Sequence, residues 1–191
     1  TSTLLNSRLS LDADYYVRDT DNAAISVKEP FTSFSTLRNV GIIRNSGFEL
    51  AVNWNDSFAN DWSYSVGFNV STLKNEVRDL NGQPYIDAGQ AEFRQRSAVG
   101  EPLMSFYGWK TDGIYQNQAE IDADPIAVAN GLEPGDYRYV NQNGDDVIDD
   151  NDRVFLGSYF PDLTYGFDFS VNYKNWNLSA SFYGQKGNKI L

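Results

Sequence analysis

The residues from Asn141 to Asp152 read Asn-Gln-Asn-Gly-Asp-Asp-Val-Ile-Asp-Asp-Asn-Asp, with oxygen-bearing side chains at alternating positions. An apolar residue at the eighth place and a carboxylate at the twelfth match a calcium-loop layout, because calcium takes several hard oxygen ligands. Asn141, Asn143, Asp145, Asp149 and Asp152 are the candidate metal ligands. The layout departs from the motif at three places. The first position is Asn, the sixth is Asp146 where a glycine normally makes the sharp turn, and the twelfth is the short Asp. A second reading is an Asn/Gly/Asp turn held by its own side-chain-to-backbone hydrogen bonds.

Tyr107, Trp109 and Tyr115 form a second candidate set, because a flat aromatic face suits the apolar face of a sugar ring. The alternative is that they pack the base of a loop. Catalysis is not expected. The chain has no His, the commonest general base, and no Cys, so it lacks thiolate metal sites and disulfides. Paired carboxylates could serve a glycosidase, but Asp and Glu here sit mostly in loop segments, where they are ordinarily solvated. The balance of 15 basic against 26 acidic residues, net charge −11, argues against a nucleic-acid partner, which needs clustered Lys and Arg. No metal or cofactor is expected beyond calcium at that one loop.

The elements that must position these residues are strands. Strict two-residue alternation of apolar and polar side chains appears in five places: Leu9 to Val17, Phe48 to Asn55, Trp62 to Ser71, Leu163 to Lys174, and Trp176 to Tyr183. Successive side chains of a strand point to opposite faces, so each run has one apolar and one polar face. The runs are close to the ~9–11 residues of a tilted membrane-crossing strand, and their polar faces carry mild Ser, Asn, Gly, Asp and Thr. Their apolar faces begin or end in Trp54, Trp62, Tyr64, Tyr173 and Trp176, as rings at a membrane interface do. A soluble β-sandwich shows the same alternation. Connection lengths separate the two. Short links (56–61 and 174–175) alternate with long ones (18–47 and 75–162), the asymmetry of short periplasmic turns and long extracellular loops.

Within the second long segment, Ser105 to Tyr115 reads as a strand or hairpin arm broken at Gly108 and Gly113. Gln116 to Asn130 reads as a short helix split by Pro125, with Gly131 at its end, and Gly131 to Asp136 as a turn cluster. No stretch approaches the ~20 apolar residues of a membrane-crossing helix. The first residues carry neither an initiator Met nor a signal segment.

Several phrases stand in a fixed order: Asn39-Val40-Gly41 with Arg44-Asn45-Ser46-Gly47-Phe48-Glu49-Leu50; Trp62 to Asn75; Gly100-Glu101-Pro102; Phe106 to Gln116; Gly135 to Tyr139; Asn143-Gly144-Asp145; Asp152-Arg153; Leu156-Gly157. Pro161-Asp162, Tyr165-Gly166-Phe167, Tyr173-Lys174 and Gly187-Asn188 complete the series. From about Arg8 to Ile190 the set resembles the later barrel region of SusC/RagA-type TonB-linked outer-membrane proteins. The resemblance implies a barrel of about 22 strands with an N-terminal plug. It also implies TonB-energised import of oligosaccharides or peptides, and a SusD-like surface lipoprotein as partner. Neither plug, TonB-contacting segment nor closing terminal strand is read in these residues, so an internal barrel segment is expected.

The expectation is therefore an all-β antiparallel up-and-down meander, a partial transmembrane β-barrel of the cell outer membrane with long extracellular loops. Residues 1–191 form a single segment, with membrane strands at about 8–17, 47–55, 62–74, 162–174 and 176–188 and loops at about 18–46 and 75–161. The competing expectation is a secreted soluble β-domain that binds carbohydrate or mediates adhesion.

Overall fold

Alternating, β-branched and aromatic side chains favour extended backbone, and strands account for most of the chain. The computed structural model describes residues 1–28, 35–58, 61–89 and 94–190. In chain order the strands are β1 (Ser2–Leu4), β2 (Leu9–Lys28), β3 (Ser35–Phe58), β4 (Trp62–Thr72), β5 (Lys74–Asp79), β6 (Tyr85–Ala88) and β7 (Gln95–Ala98). They continue with β8 (Ser105–Trp109), β9 (Thr111–Ile114), β10 (Tyr137–Tyr139), β11 (Arg153–Gly157), β12 (Leu163–Tyr173) and β13 (Trp176–Lys186). Two short helices, α1 (Gln118–Asp122) and α2 (Pro125–Ala129), lie between β9 and β10.

The chain divides into two compact units. The first comprises Thr1–Ile86, Ser97–Leu103 and Ser158–Ile190. Its sheet runs β1-β2-β3-β4-β12-β13, with β5 paired to β3 farther along that strand, and every pairing is antiparallel. Register carries the sequence alternation across the whole sheet. Leu11, Val52, Phe68, Phe167 and Phe182 stand opposite one another in a single row over β2, β3, β4, β12 and β13. One residue along, on the other face, Ser10, Asn53, Gly67, Asp168 and Ser181 make a polar row. The polar face bonds to itself: Asn177 Nδ2 donates to Asn172 Oδ1 at 2.6 Å, and Asn172 Nδ2 donates to Ser63 Oγ at 3.2 Å.

The apolar face is not covered. Phe167, Phe182, Leu178 and Trp176 are 40%, 61%, 64% and 80% exposed. A contiguous apolar wall of that kind needs a nonaqueous neighbour. At the short-turn end, Phe58, Trp62, Tyr173 and Trp176 form an aromatic row, with Trp62 stacked on Phe58 at 5.6 Å and on Tyr173 at 4.3 Å between ring centroids.

The segment 18–46, expected to be a loop, is in its described part a continuation of strands β2 and β3. Pairing persists from Arg18↔Asn45 to Lys28↔Ser35, with a bulge near Asn22, whose φ is +59°. Apolar alternation fades there while the backbone ladder continues, because hydrogen bonding between strands does not require an apolar face. Ile25 and Val27 from this extension meet Val77 and Leu80 in a small buried core, with Val40, Ile86 and Leu103 packed against it. Asn75 is buried beside it. Its Nδ2 donates to Asn45 Oδ1 at 2.7 Å and its Oδ1 accepts the Leu103 N–H at 2.8 Å. The expected loop 75–161 likewise holds strands and both helices. β1, which pairs Ser2 to Leu4 with Leu11 to Leu9, escaped the sequence reading because three residues are too few to show a period.

The second unit comprises Asp87–Arg96 and Met104–Gly157. Its β8 pairs with β11 on one side and with Gln95 and Arg96 of β7 on the other, and β6 closes the order β11-β8-β7-β6. β9 and β10 form a separate two-stranded ribbon. The helix pair starts where the side chains allow: Asn117 and Asp124 cap the two N-termini, and Pro125 follows as the first helical residue of α2, where it loses no hydrogen bond.

Candidate binding site

Strand β8 delivers Trp109, and the ribbon β9–β10 delivers Tyr139 and, just past its first arm, Tyr115. The helix pair closes over Tyr115: Tyr115, Ile121 and Ala127 are buried together with Leu132 packed against them. Beside this core lies a pocket of about 350 Å³. Trp109 and Tyr139 give it aromatic walls, and Ile126, Leu132 and Ile148 give it aliphatic ones. Asp124 and Asn130 are its polar members.

Several of the polar groups around it are engaged with the protein. The Trp109 indole N–H donates to the Asp149 carbonyl at 2.6 Å. One face of the same indole is covered by the Arg153 guanidinium, 3.7 Å from the ring centroid. Tyr115 donates its hydroxyl proton to Asp124 Oδ2 at 2.6 Å, while Asp124 Oδ1 accepts the Ile126 N–H at 2.9 Å. Burial pushes the Tyr115 phenol up to about 12, and the acceptor carboxylate of Asp124 pushes it the same way. The Tyr115 hydroxyl in turn holds the Asp124 carboxyl below the usual carboxylate range.

The three rings expected to stack on sugar are therefore not one open platform. Tyr115 is only 3% exposed, packed under the two helices, and lines the pocket from its buried side. Tyr107 does not line the pocket. The Arg96 guanidinium sits 3.8 Å from its ring centroid and Phe155 meets it edge-on at 5.2 Å. Trp109 alone presents a half-buried ring to the pocket. Ile126, Leu132, Tyr139 and Ile148 were missed by sequence reasoning. The Asp-Pro start of α2 and the Tyr137–Tyr139 alternation were the available signals, and neither says which side chains converge.

The Asn141–Asp152 segment bonds to itself. Asn141 Oδ1 accepts the Gly144 N–H at 2.6 Å, and Asn143 Nδ2 donates to Asp145 Oδ2 at 2.8 Å. Asp145 Oδ1 accepts the Val147 N–H at 3.1 Å, and Asp149 Oδ1 accepts the Asn151 N–H at 2.7 Å. Asp152 is fully buried, its two carboxylate oxygens accepting the Gln142 and Asp149 N–H groups at 2.7 and 2.8 Å. The Asp149 amide is the main reason its carboxyl is held below the usual range. Asp146, at the place of the motif's glycine, takes φ +61°. Among the described residues no three His, Cys, Asp or Glu side chains gather as a metal-holding group.

The first unit defines a class: antiparallel meanders whose strands carry one apolar and one polar face, with short turns at one end and long folded excursions at the other. The chain belongs to the TonB-dependent receptor family, since the family model described as "TonB dependent receptor-like, beta-barrel" matches residues 2–183. It is 34% identical to TonB-dependent receptor P26 of Formosa agariphila over 199 residues, covering 99% of this chain and 20% of that protein. It is 27% identical to TonB-dependent receptor SusC of Bacteroides thetaiotaomicron, covering 97% of this chain and 18% of that protein. Among solved structures it is similar to the RagAB peptide importer in its open-open state, with TM-score 0.76 at 24% identity, covering 97% of this chain and 19% of that one. The chain thus spans about a fifth of the length of the relatives it matches. The antiparallel meander expected from the sequence is the architecture found.

Proposed function

We propose that this chain is a wall segment of a TonB-dependent outer-membrane transporter that imports oligosaccharides or peptides together with a SusD-like surface lipoprotein. The wall would face lipid with its apolar rows. The observation that carries the reading is the apolar row Leu11, Val52, Phe68, Phe167 and Phe182, exposed at all but the half-buried Val52 and backed by the polar row on the opposite face. A bilayer is the neighbour that suits such a wall. The family membership and the likeness to a receptor named SusC support the transport role, and the named relatives are described as receptors.

The test uses the full-length protein in its own cells. It is expected to fractionate with the outer membrane, and uptake of a fluorescent oligosaccharide or peptide is expected to stop when TonB is removed. Recovery as a soluble secreted species would overturn the reading in favour of a carbohydrate-binding or adhesive β-domain.

A further inference from the structure

The pocket in Met104–Gly157 discriminates between ligand chemistries by what its walls leave unbonded. The Trp109 indole, the Tyr115 hydroxyl and the Asp124 carboxylate are each bonded to a protein partner, and Asn130 Nδ2 donates to the Ile126 carbonyl at 2.8 Å. A sugar ring entering this space would strip water from its hydroxyls and find few groups with bonds to offer in return. An aliphatic or aromatic side chain needs no such partners, and Ile126, Leu132 and Ile148 give it apolar contact. A volume of about 350 Å³ is ample for one such side chain with part of its backbone.

Charge supplies a second, independent observation. Between Met104 and Gly157 eleven Asp and Glu face three Lys and Arg, a net −8 out of the chain's −11. The loop that contributes Ile148 carries Asp145, Asp146, Asp149 and Asp150. A net negative unit of this kind attracts cationic ligands and repels anionic ones.

We infer that this pocket is a subsite for an apolar side chain of a cationic peptide, with Lys or Arg beside the inserted residue. The inference rests on the transporter reading and narrows its cargo to peptides of that kind.

The experiment measures fluorescence anisotropy of a labelled Ala-Lys-Leu-Lys-Ala amide on the full-length receptor in detergent. Replacing the central leucine by serine is expected to weaken binding roughly ten-fold or more, the factor for losing one buried aliphatic side chain. Replacing both lysines by glutamate is expected to weaken it further, and that difference should shrink as salt rises. Ile148→Trp, which fills the pocket, is expected to weaken the leucine peptide by a similar factor. Equal affinity of the leucine and serine peptides overturns the inference, as does unchanged affinity in folded Ile148→Trp. So does displacement of the peptide from the wild-type pocket by maltohexaose at comparable concentration. Should Ile148→Trp fail to fold, the peptide series on the wild type still decides. A flat series with the receptor still in the outer membrane overturns the subsite alone. Absence from the outer membrane overturns the transporter reading.

Discussion

The Tyr115 hydroxyl donates a 2.6 Å hydrogen bond to Asp124 Oδ2, and the same carboxylate caps helix α2 through the N–H groups of Ile126 and Ala127. One carboxylate thus ties the buried ring to the helix that forms one side of the pocket. Tyr115→Phe keeps the ring and removes the proton donor, so it is expected to destabilise this unit by about 1.5–3 kcal/mol, the range for a hydrogen bond to a charged group. Hydrogen–deuterium exchange of the 117–132 region in the full receptor checks it. Faster exchange there, with the β2–β4 strands unchanged, is the expected pattern.

The same bond needs a protonated phenol and an ionised carboxylate, so it weakens at both ends of the pH scale. The phenol is raised in the folded state to about 12 from an ordinary 10.0, so its contribution is complete below pH 10 and is lost as pH rises through about 12. The Asp124 carboxyl is lowered, so its contribution is present above its ordinary 3.8 and is lost as pH falls below that. Phenolate absorbance titration is expected to show one late-titrating tyrosine that disappears in Tyr115→Phe. A Tyr115→Phe titration identical to the wild type would refute it.

Phe167 and Asp168 are neighbours in sequence on opposite faces of the sheet. Phe167→Arg is expected to lower the stability of the membrane-inserted receptor by about 2–4 kcal/mol, the penalty for a cation on a lipid-facing wall near mid-membrane. Asp168→Arg, on the polar face, is expected to have a much smaller effect. Heat-dependent gel mobility of the receptor folded into lipid reads both, and equal losses would remove the case for a lipid-facing row.

Gly47 lies on β3 opposite the junction of β4 and β5, and a Cβ there would collide with the Thr72 carbonyl oxygen and press on the Tyr16 ring. Gly47→Ala is expected to destabilise by about 1–3 kcal/mol through overpacking. A wild-type unfolding temperature in this variant would show that the β4–β5 bend can move aside.

Calcium at millimolar concentration is expected to leave the melting of the second unit unchanged, because the Asn141–Asp152 carboxylates already accept backbone and side-chain N–H groups. A clear rise in melting temperature, abolished by Asp152→Asn, would support the calcium-loop reading.

The alternation from Leu163 to Tyr173 and from Trp62 to Ser71 was legible in the sequence because side-chain direction in a strand is set residue by residue. The split helix was legible too, since Pro125 acts locally. The extension of β2 and β3 through 18–28 and 35–46 was not. Its ladder runs through polar residues, and the core that steadies it joins Ile25 to Val77, far apart in the chain. The pocket was hidden for the same reason: Trp109, Ile126, Tyr139 and Ile148 meet only after two helices and a ribbon have packed.

By itself, the sequence determined that this chain makes two-faced antiparallel strands with aromatic ends, because period-two patterning is written into neighbouring residues. Only the tertiary structure decided that β4 pairs with β12, that Tyr115 is buried among the helices, and that the acidic loop bonds to itself. Pairing and desolvation depend on which distant segments meet, and local pattern does not encode that.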